Sequence, residues 1–98
     1  MFYTYVLKSE KSGRFYTGFT SNLRKRLKQH NNGESYYTNR EKPYLLVYYE
    51  ASLNEDDARA REIYLKTGMG KRFIKNRIKN FQLKSGMIPL ETAIALCK

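Results

Sequence analysis

Short apolar runs alternate along the chain with amphipathic segments, and the two patterns separate strands from helices. Residues 2–8, FYTYVLK, are β-branched and aromatic and predict a strand. SEKSG, ending at Gly13, reads as a turn, and residues 14–19, RFYTGF, as a second strand, so the two form a hairpin. Directly opposed residues of an antiparallel pair point to the same side. A register with Tyr5 opposite Tyr16 therefore projects both phenols from one face. Residues 44–50, YLLVYYE, are a near-continuous apolar run, as in a strand buried on both faces. Residues 34–43, between hairpin and run, read as a polar loop.

Three segments repeat at helical spacing. The first follows the hairpin, with Ser21 or Asn22 as its cap and the NNG around Gly33 as its stop. At 100° per residue Leu23, Leu27 and His30 fall on one stripe with Arg26 at its edge, while Arg24, Lys25 and Lys28 fall on the other side. A second helix begins near Asn54, where Glu55, Asp56 and Asp57 favour the positive end of the helix dipole, and stops near Gly68. On it Ala58, Glu62 and Leu65 share a face, so Glu62 sits beside core, unlike the three acids of the first turn. Gly70 separates this helix from a third, KRFIKNRIKNF, with Phe73, Ile74, Ile78 and Phe81 on its apolar side. The tail IPLETAIALCK predicts a last short helix with Pro89 at its first position.

Charge changes this picture more than composition does. The 98 residues fit one domain and, with 41% hydrophobic residues, can bury a thin core. The formal net charge of +10, from 19 Lys/Arg against 9 Asp/Glu, points to a polyanionic partner, a nucleic acid or a membrane surface. No apolar stretch approaches the length that spans a bilayer, and the N-terminus lacks a signal-peptide pattern, which disfavours the membrane. The single cysteine, Cys97, has no internal disulfide partner and reads as a packing residue of a cytoplasmic protein. From Lys66 to Lys84 there are seven Lys/Arg and no acid, a pattern suited to backbone phosphates. Within it Lys71, Arg72, Lys75, Asn76 and Arg77, with Arg24, Lys25 and Lys28 of the first helix, are the candidate nucleic-acid contacts.

With one histidine and one cysteine, a His/Cys zinc site is nearly excluded, and the scattered glycines form no phosphate-binding loop. What remains is Tyr5 and Tyr16 on a hairpin, the i, i+4 pair Arg26 and His30 on the next helix, and Glu62 on a later one. In this order the residues resemble the GIY-YIG endonuclease family over roughly residues 2–80, and most of all its small single-domain bacterial branch. YTYVLK aligns Tyr5 with the tyrosine of the first motif, with Tyr3 and Thr4 in place of its Gly and Ile. YTG, residues 16–18, aligns Tyr16 and Gly18 with the second motif. NLRKRLKQH supplies the family arginine as Arg26 and the histidine one turn later as His30. AREIYLK supplies the metal-binding glutamate as Glu62, and Asn76, or less well Asn80, stands for an asparagine of some members.

The resemblance implies an α/β domain over residues 1–82, with a three-stranded antiparallel sheet flanked by helices. Residues 83–98 would be a C-terminal extension packing on it. It implies a metal-dependent endonuclease acting on nucleic acid, chiefly DNA, with Mg²⁺ or Mn²⁺ as cofactor and no organic cofactor. Family members are often joined to a separate DNA-binding domain; none is visible here, so structure-directed or nonspecific cleavage in DNA repair, recombination or nucleic-acid processing is expected. The alternative is a basic nucleic-acid-binding module that does not cut.

The chemistry agrees with these residue types. Glu62 is a hard oxygen ligand for Mg²⁺, and its isolation from other acids suits a one-metal site. Arg26 offers a planar fork to phosphate oxygens. The base is Tyr5, with Tyr16 orienting water and phosphate and His30 accepting or relaying the proton. Holding an ordinary tyrosine as phenolate at neutral pH costs about 4 kcal/mol, which a metal and Arg26 would reduce. Gly18 permits a tight backbone at the strand end. An ion pair with Arg59 or Arg61 is the plain structural role for Glu62.

Overall fold

Strand β1 (Phe2–Ser9) runs through the middle of an antiparallel sheet in the computed structural model, which describes residues 1–34, 40–79 and 88–89. Strand β2 (Phe15–Thr20) pairs with one side of β1, and β3 (Tyr44–Ser52) with the other. The sheet order is β2-β1-β3-β4, where β4 is the two-residue strand Ile88–Pro89. Helix α1 (Leu23–Asn31) follows β2, and α2 (Glu55–Leu65) and α3 (Gly68–Arg77) follow β3.

The period-2 alternation of strand side chains divides the core in two. On one face Tyr5 and Leu7 of β1 and Tyr44 and Leu46 of β3 pack against Leu23 and Leu27 of α1, with Tyr16 alongside. On the other, Val6, Leu45 and Val47 meet Leu65 of α2 and Ile74 and Ile78 of α3. Burial on both faces explains why Tyr5–Leu7 of β1 and Tyr44–Val47 of β3 form continuous hydrophobic runs. A bulge where β1 passes from Val6 to Leu7 leaves Val47 without a partner on β1. The successive residues Val47 and Tyr48 thereby both reach the α2–α3 side.

The turns follow local chemistry. Ser9 closes the hairpin: its hydroxyl accepts from the backbone N–H of Lys11 (3.1 Å) and Ser12 (3.0 Å) and donates to the Glu41 carbonyl (2.6 Å). Gly13 takes φ of 76° there, a value other residues rarely adopt. Of the two candidate caps of α1, Asn22 is the one used, its side chain accepting from Lys25 N–H at 3.0 Å. Asn54 caps α2 in the same way, accepting from Asp57 N–H at 3.1 Å.

Three expectations are corrected. Helix α3 begins at Gly68, not after Gly70, because Thr67 caps it by accepting from Gly70 N–H at 3.1 Å. Gly70 lies in the first turn, where a Cβ would collide with the backbone of Tyr64 and Leu65, so its role is close helix–helix approach. Pro89 does not open a helix: Ile88 and Pro89 pair with Leu46 and Leu45, lengthening the three-stranded sheet by a short edge that suits a residue with no N–H to donate. The remainder of the expected 83–98 extension, Cys97 included, lies outside the described residues, as do Asn80 and Phe81 of the expected third helix. Among the described residues no helix is long and apolar enough to cross a membrane.

Candidate active site

Tyr5 and Gly18 are Cα partners across the β1–β2 ladder. Tyr16 stands opposite Leu7, not opposite Tyr5, so the register differs by two residues from the expected one. A slip of two preserves the face, and both phenols still point toward α1. The consequence falls on Gly18. A Cβ built there would overlap the end of the Tyr5 ring and its hydroxyl. Gly18 is therefore the space across which the phenol lies, and not only a tight backbone at the strand end.

Helix α1 brings two further residues to the phenols. Leu23 and Leu27 anchor it, which turns His30, one helical turn from Arg26, inward. His30 is fully buried, and its ring packs edge-on to both tyrosines, with centroids 5.6 Å from Tyr5 and 5.3 Å from Tyr16 at 66° to each. Its Nε2 lies 2.7 Å from the Tyr5 hydroxyl. Arg26 is half-buried; its Nη1 donates to Gln29 Oε1 at 2.9 Å, and its guanidinium interacts with the hydroxyls of both tyrosines. Arginine only donates. With the imidazole proton on Nδ1, the Tyr5 hydroxyl donates to Nε2.

Electrostatics keep Tyr5 and His30 neutral beside the Arg26 charge. Burial lifts the Tyr5 phenol far above the ordinary tyrosine range; Arg26 lowers it, while Tyr16 and the Glu62 charge raise it further. Burial, then the neighbouring Arg26 charge, lowers His30 to about 4. Burial works against the Arg26 charge too, but the two tyrosine hydroxyls outweigh it and its pKa is raised. His30 is directed at Tyr5 and is uncharged at neutral pH. Tyr5 in the protein alone is a phenol and not a phenolate.

Glu62 comes from α2. It is partly buried, and its charge acts on Tyr5 only through space, as the weakest influence on that phenol, while Tyr5, Tyr16, Arg26 and His30 are the four that meet directly. Its ion-pair partner is Lys66, one turn on, with Nζ 3.3 Å from Oε2, and neither Arg59 nor Arg61. Arg59 stacks over the Phe19 ring at 5.2 Å. Arg61 donates from Nε to Glu50 at 2.5 Å and lies over the Phe73 ring at 4.6 Å. Glu50 also accepts from the Tyr48 hydroxyl at 2.9 Å. Arg61 thus ties α2 to β3 and α3 and fixes the rotation that presents Glu62. No spacing signal marks the Glu50–Arg61 pair, whereas Gln29 holds Arg26 from the i, i+3 position of the same helix.

Among the described residues no three His, Cys, Asp or Glu side chains group as a metal cage. The donor set is one carboxylate, that of Glu62. That does not suit zinc, but it suits a hard ion such as Mg²⁺, which keeps most of its waters and takes one or two carboxylates plus substrate phosphate.

The basic candidates divide between the two faces. Arg24, Lys25 and Lys28 are exposed on the outer side of α1 and line a groove with Asn22; Lys25 also lines a second one with Arg26 and Gln29. A track of positive charge therefore leads to Arg26. Lys71, Arg72, Lys75, Asn76 and Arg77 are exposed on α3, which packs on the opposite side of the sheet.

Comparison with known proteins places this arrangement. The family model described as the GIY-YIG catalytic domain matches residues 1–79. A UPF0213 protein of Clostridium perfringens is 48% identical over 67 residues, covering 67% of this chain and 71% of the relative. One of Staphylococcus saprophyticus is 39% identical over 66 residues, covering 66% and 79%. The solution NMR structure of a UPF0213 protein from Bacillus halodurans aligns with a TM-score of 0.48 and 29% identity, over 88% of each chain.

Proposed function

The chain belongs to the GIY-YIG catalytic domain family, a family of nucleases, and on that premise we propose that it is an endonuclease hydrolysing phosphodiester bonds in DNA with Mg²⁺ or Mn²⁺. The observation that carries the reading is the convergence of Tyr5, Tyr16, Arg26 and His30, with the Glu62 charge reaching the same hydroxyl. None of these contacts is local in sequence except that between Arg26 and His30, so chance clustering is a poor account of them.

In this reading Glu62, which pairs with Lys66 in the protein alone, would hold the metal. The ion, when bound, neutralises phosphate charge and supports the departing oxygen. Arg26 leaves the tyrosine hydroxyls for the phosphate, whose oxygens are better acceptors for its fork than phenols are. Its movement uncovers Tyr5, which is otherwise only 1% exposed. Tyr16, the more accessible phenol, orients the phosphate and the attacking water.

The Tyr5–His30 bond decides how the water loses its proton. A free Tyr5 phenolate would cost more than the about 4 kcal/mol of an ordinary tyrosine at neutral pH, because the site is buried. Tyr5 instead takes the water proton as it passes its own to Nε2 of His30. The terminal acceptor is then an imidazole held near a pKa of about 4. Charging it at pH 7 also costs about 4 kcal/mol, but no phenolate forms, and departure of the Arg26 charge lowers the cost.

The exposed cations are of the type that grips phosphate backbones, which supports recognition of nucleic-acid structure, or nonspecific cutting, over reading of base sequence. Such an activity belongs to repair, recombination or processing of nucleic acid in the cytoplasm. The test is incubation of purified protein with supercoiled plasmid in Mg²⁺, Mn²⁺ or EDTA. Nicking in either metal and none in EDTA is expected. Binding without nicking in every condition would instead identify a non-catalytic binding module.

A further inference from the structure

Tyr49 is 51% exposed, whereas Tyr5, its Cα partner across the β1–β3 ladder, is almost wholly buried. Directly opposed residues of an antiparallel pair share a face, so Tyr49 lies on the α1 side of the sheet, one strand from the candidate active site. The Tyr5 ring leans the other way, over Gly18 of β2, and leaves the surface of β3 at this level to Tyr49. Tyr3, two residues before Tyr5 and on the same face, buttresses the Tyr49 ring, with centroids 6.4 Å apart and planes tilted by 56°. Earlier on β3 the same face behaves differently, with Tyr44 and Leu46 buried in the cluster under α1. An aromatic ring held by two strands and left half in water forgoes burial that its neighbours have.

The surroundings say what would cover it. The same side of the sheet carries Arg26 against the phenols, with Arg24, Lys25 and Lys28 on the outer side of α1, and these cations call for a polyanion. Nucleic acid is the polyanion that also offers flat apolar rings. Exposed aromatic rings on a sheet beside a cationic track are the kind of surface on which unpaired bases stack. We propose that Tyr49, supported by Tyr3, is a base-stacking residue of the site. It takes the face of a nucleobase next to the scissile phosphate and thereby sets that phosphate against Tyr16 and Arg26. This rests on the nuclease reading for which phosphate is cut, but it is tested by binding alone.

The chain has no tryptophan, so Tyr49→Trp introduces a lone indole as a reporter. Tyr64→Trp is the control, two residues from Glu62 and so on the opposite side of α2. A single-stranded DNA oligonucleotide is titrated into each variant in EDTA. An indole stacked on a base loses fluorescence, so Tyr49→Trp should be strongly quenched at saturation and Tyr64→Trp should change little. In parallel, Tyr49→Leu, which keeps an apolar side chain and every charge, should bind the strand roughly 5- to 150-fold more weakly than wild type, the usual worth of one base on an aromatic ring. Tyr49→Trp should bind like wild type. On an abasic strand with the same number of phosphates, wild type and Tyr49→Leu should bind equally, because only backbone contacts remain. Thermal melts establish that the variants fold, and the quenching readout does not depend on Tyr49→Leu. Quenching no greater than in the control, wild-type affinity of Tyr49→Leu for the ordinary strand, or an equal loss on both strands would each overturn the proposal. A quenched reporter in a protein whose wild type nicks nothing would keep the stacking role and remove the nuclease reading; nicking without quenching would do the reverse.

Discussion

The Tyr5 hydroxyl and Nε2 of His30 are 2.7 Å apart, inside a site where both rings are almost wholly buried. Twenty-five residues separate them in the chain, and the contact joins strand to helix at the point where the two catalytic candidates of the first motif and of α1 meet. Tyr5→Phe keeps the ring and its packing but removes the route from water to imidazole. Cleavage should fall by 10²-fold or more, the usual worth of a positioned acid–base group, with DNA affinity within about twofold of wild type. Single-turnover cleavage beside a binding titration in EDTA checks it. Near-wild-type cleavage by the variant would remove Tyr5 from the proton path.

The same burial makes His30 a source of acid instability. Its folded pKa of about 4 lies below the ordinary value of 6.5. Between those values the unfolded chain binds a proton that the folded protein does not, so stability falls with pH across that window. Above 6.5 the contribution is fully present. By pH 4 the loss is on the order of 3 kcal/mol. Urea melts of wild type and His30→Gln at several pH values test this: the wild type should lose stability more steeply between pH 6.5 and 4 than the variant. Parallel profiles would show that His30 is not held neutral.

Gly18→Ala should behave as an overpacking change, because its Cβ would meet the Tyr5 phenol. A cost of about 1–3 kcal/mol is expected, since the phenol is pinned by His30 and cannot swing aside freely. Adding Tyr5→Leu, which removes the colliding ring, should recover part of it. A double-mutant cycle by chemical denaturation reads the coupling, and additive effects would mean that the two residues do not share the space.

Arg26 and Lys25 are neighbours of equal charge with different surroundings. Lys25 is exposed, whereas Arg26 is half-buried against the hydroxyls and Gln29. Arg26→Ala should lower the cleavage rate by 10² or more, and Lys25→Ala should weaken DNA binding a few-fold with little change in the rate at saturation. Equal effects on the saturated rate would reduce Arg26 to general electrostatics.

Legibility of the molecule in its sequence followed the range of the interactions involved. Helix α1 and its inward stripe were readable because Leu23, Leu27 and His30 obey one local period, and α2 because Asn54 and three acids mark its start. Hairpin register was not, since nothing in FYTYVLK or RFYTGF distinguishes Tyr5 opposite Tyr16 from Tyr5 opposite Gly18; only packing of the phenol over a missing side chain selects it. Thr67 as the cap of α3 carries a local signal, a threonine three residues before the N–H it accepts from, but Gly70 carries the competing signal of a helix breaker. Pro89 suited a helix start locally and was taken into the sheet by β3. The direction of His30 toward Tyr5, and its neutrality, depend on burial, which a sequence does not display.

The most direct measurement of the central claim is cleavage by Glu62→Ala. In Mg²⁺, wild type should convert supercoiled plasmid to nicked circles while the variant leaves it intact, with equal DNA affinity for the two proteins in EDTA. Undiminished nicking by the variant would contradict a metal site at Glu62.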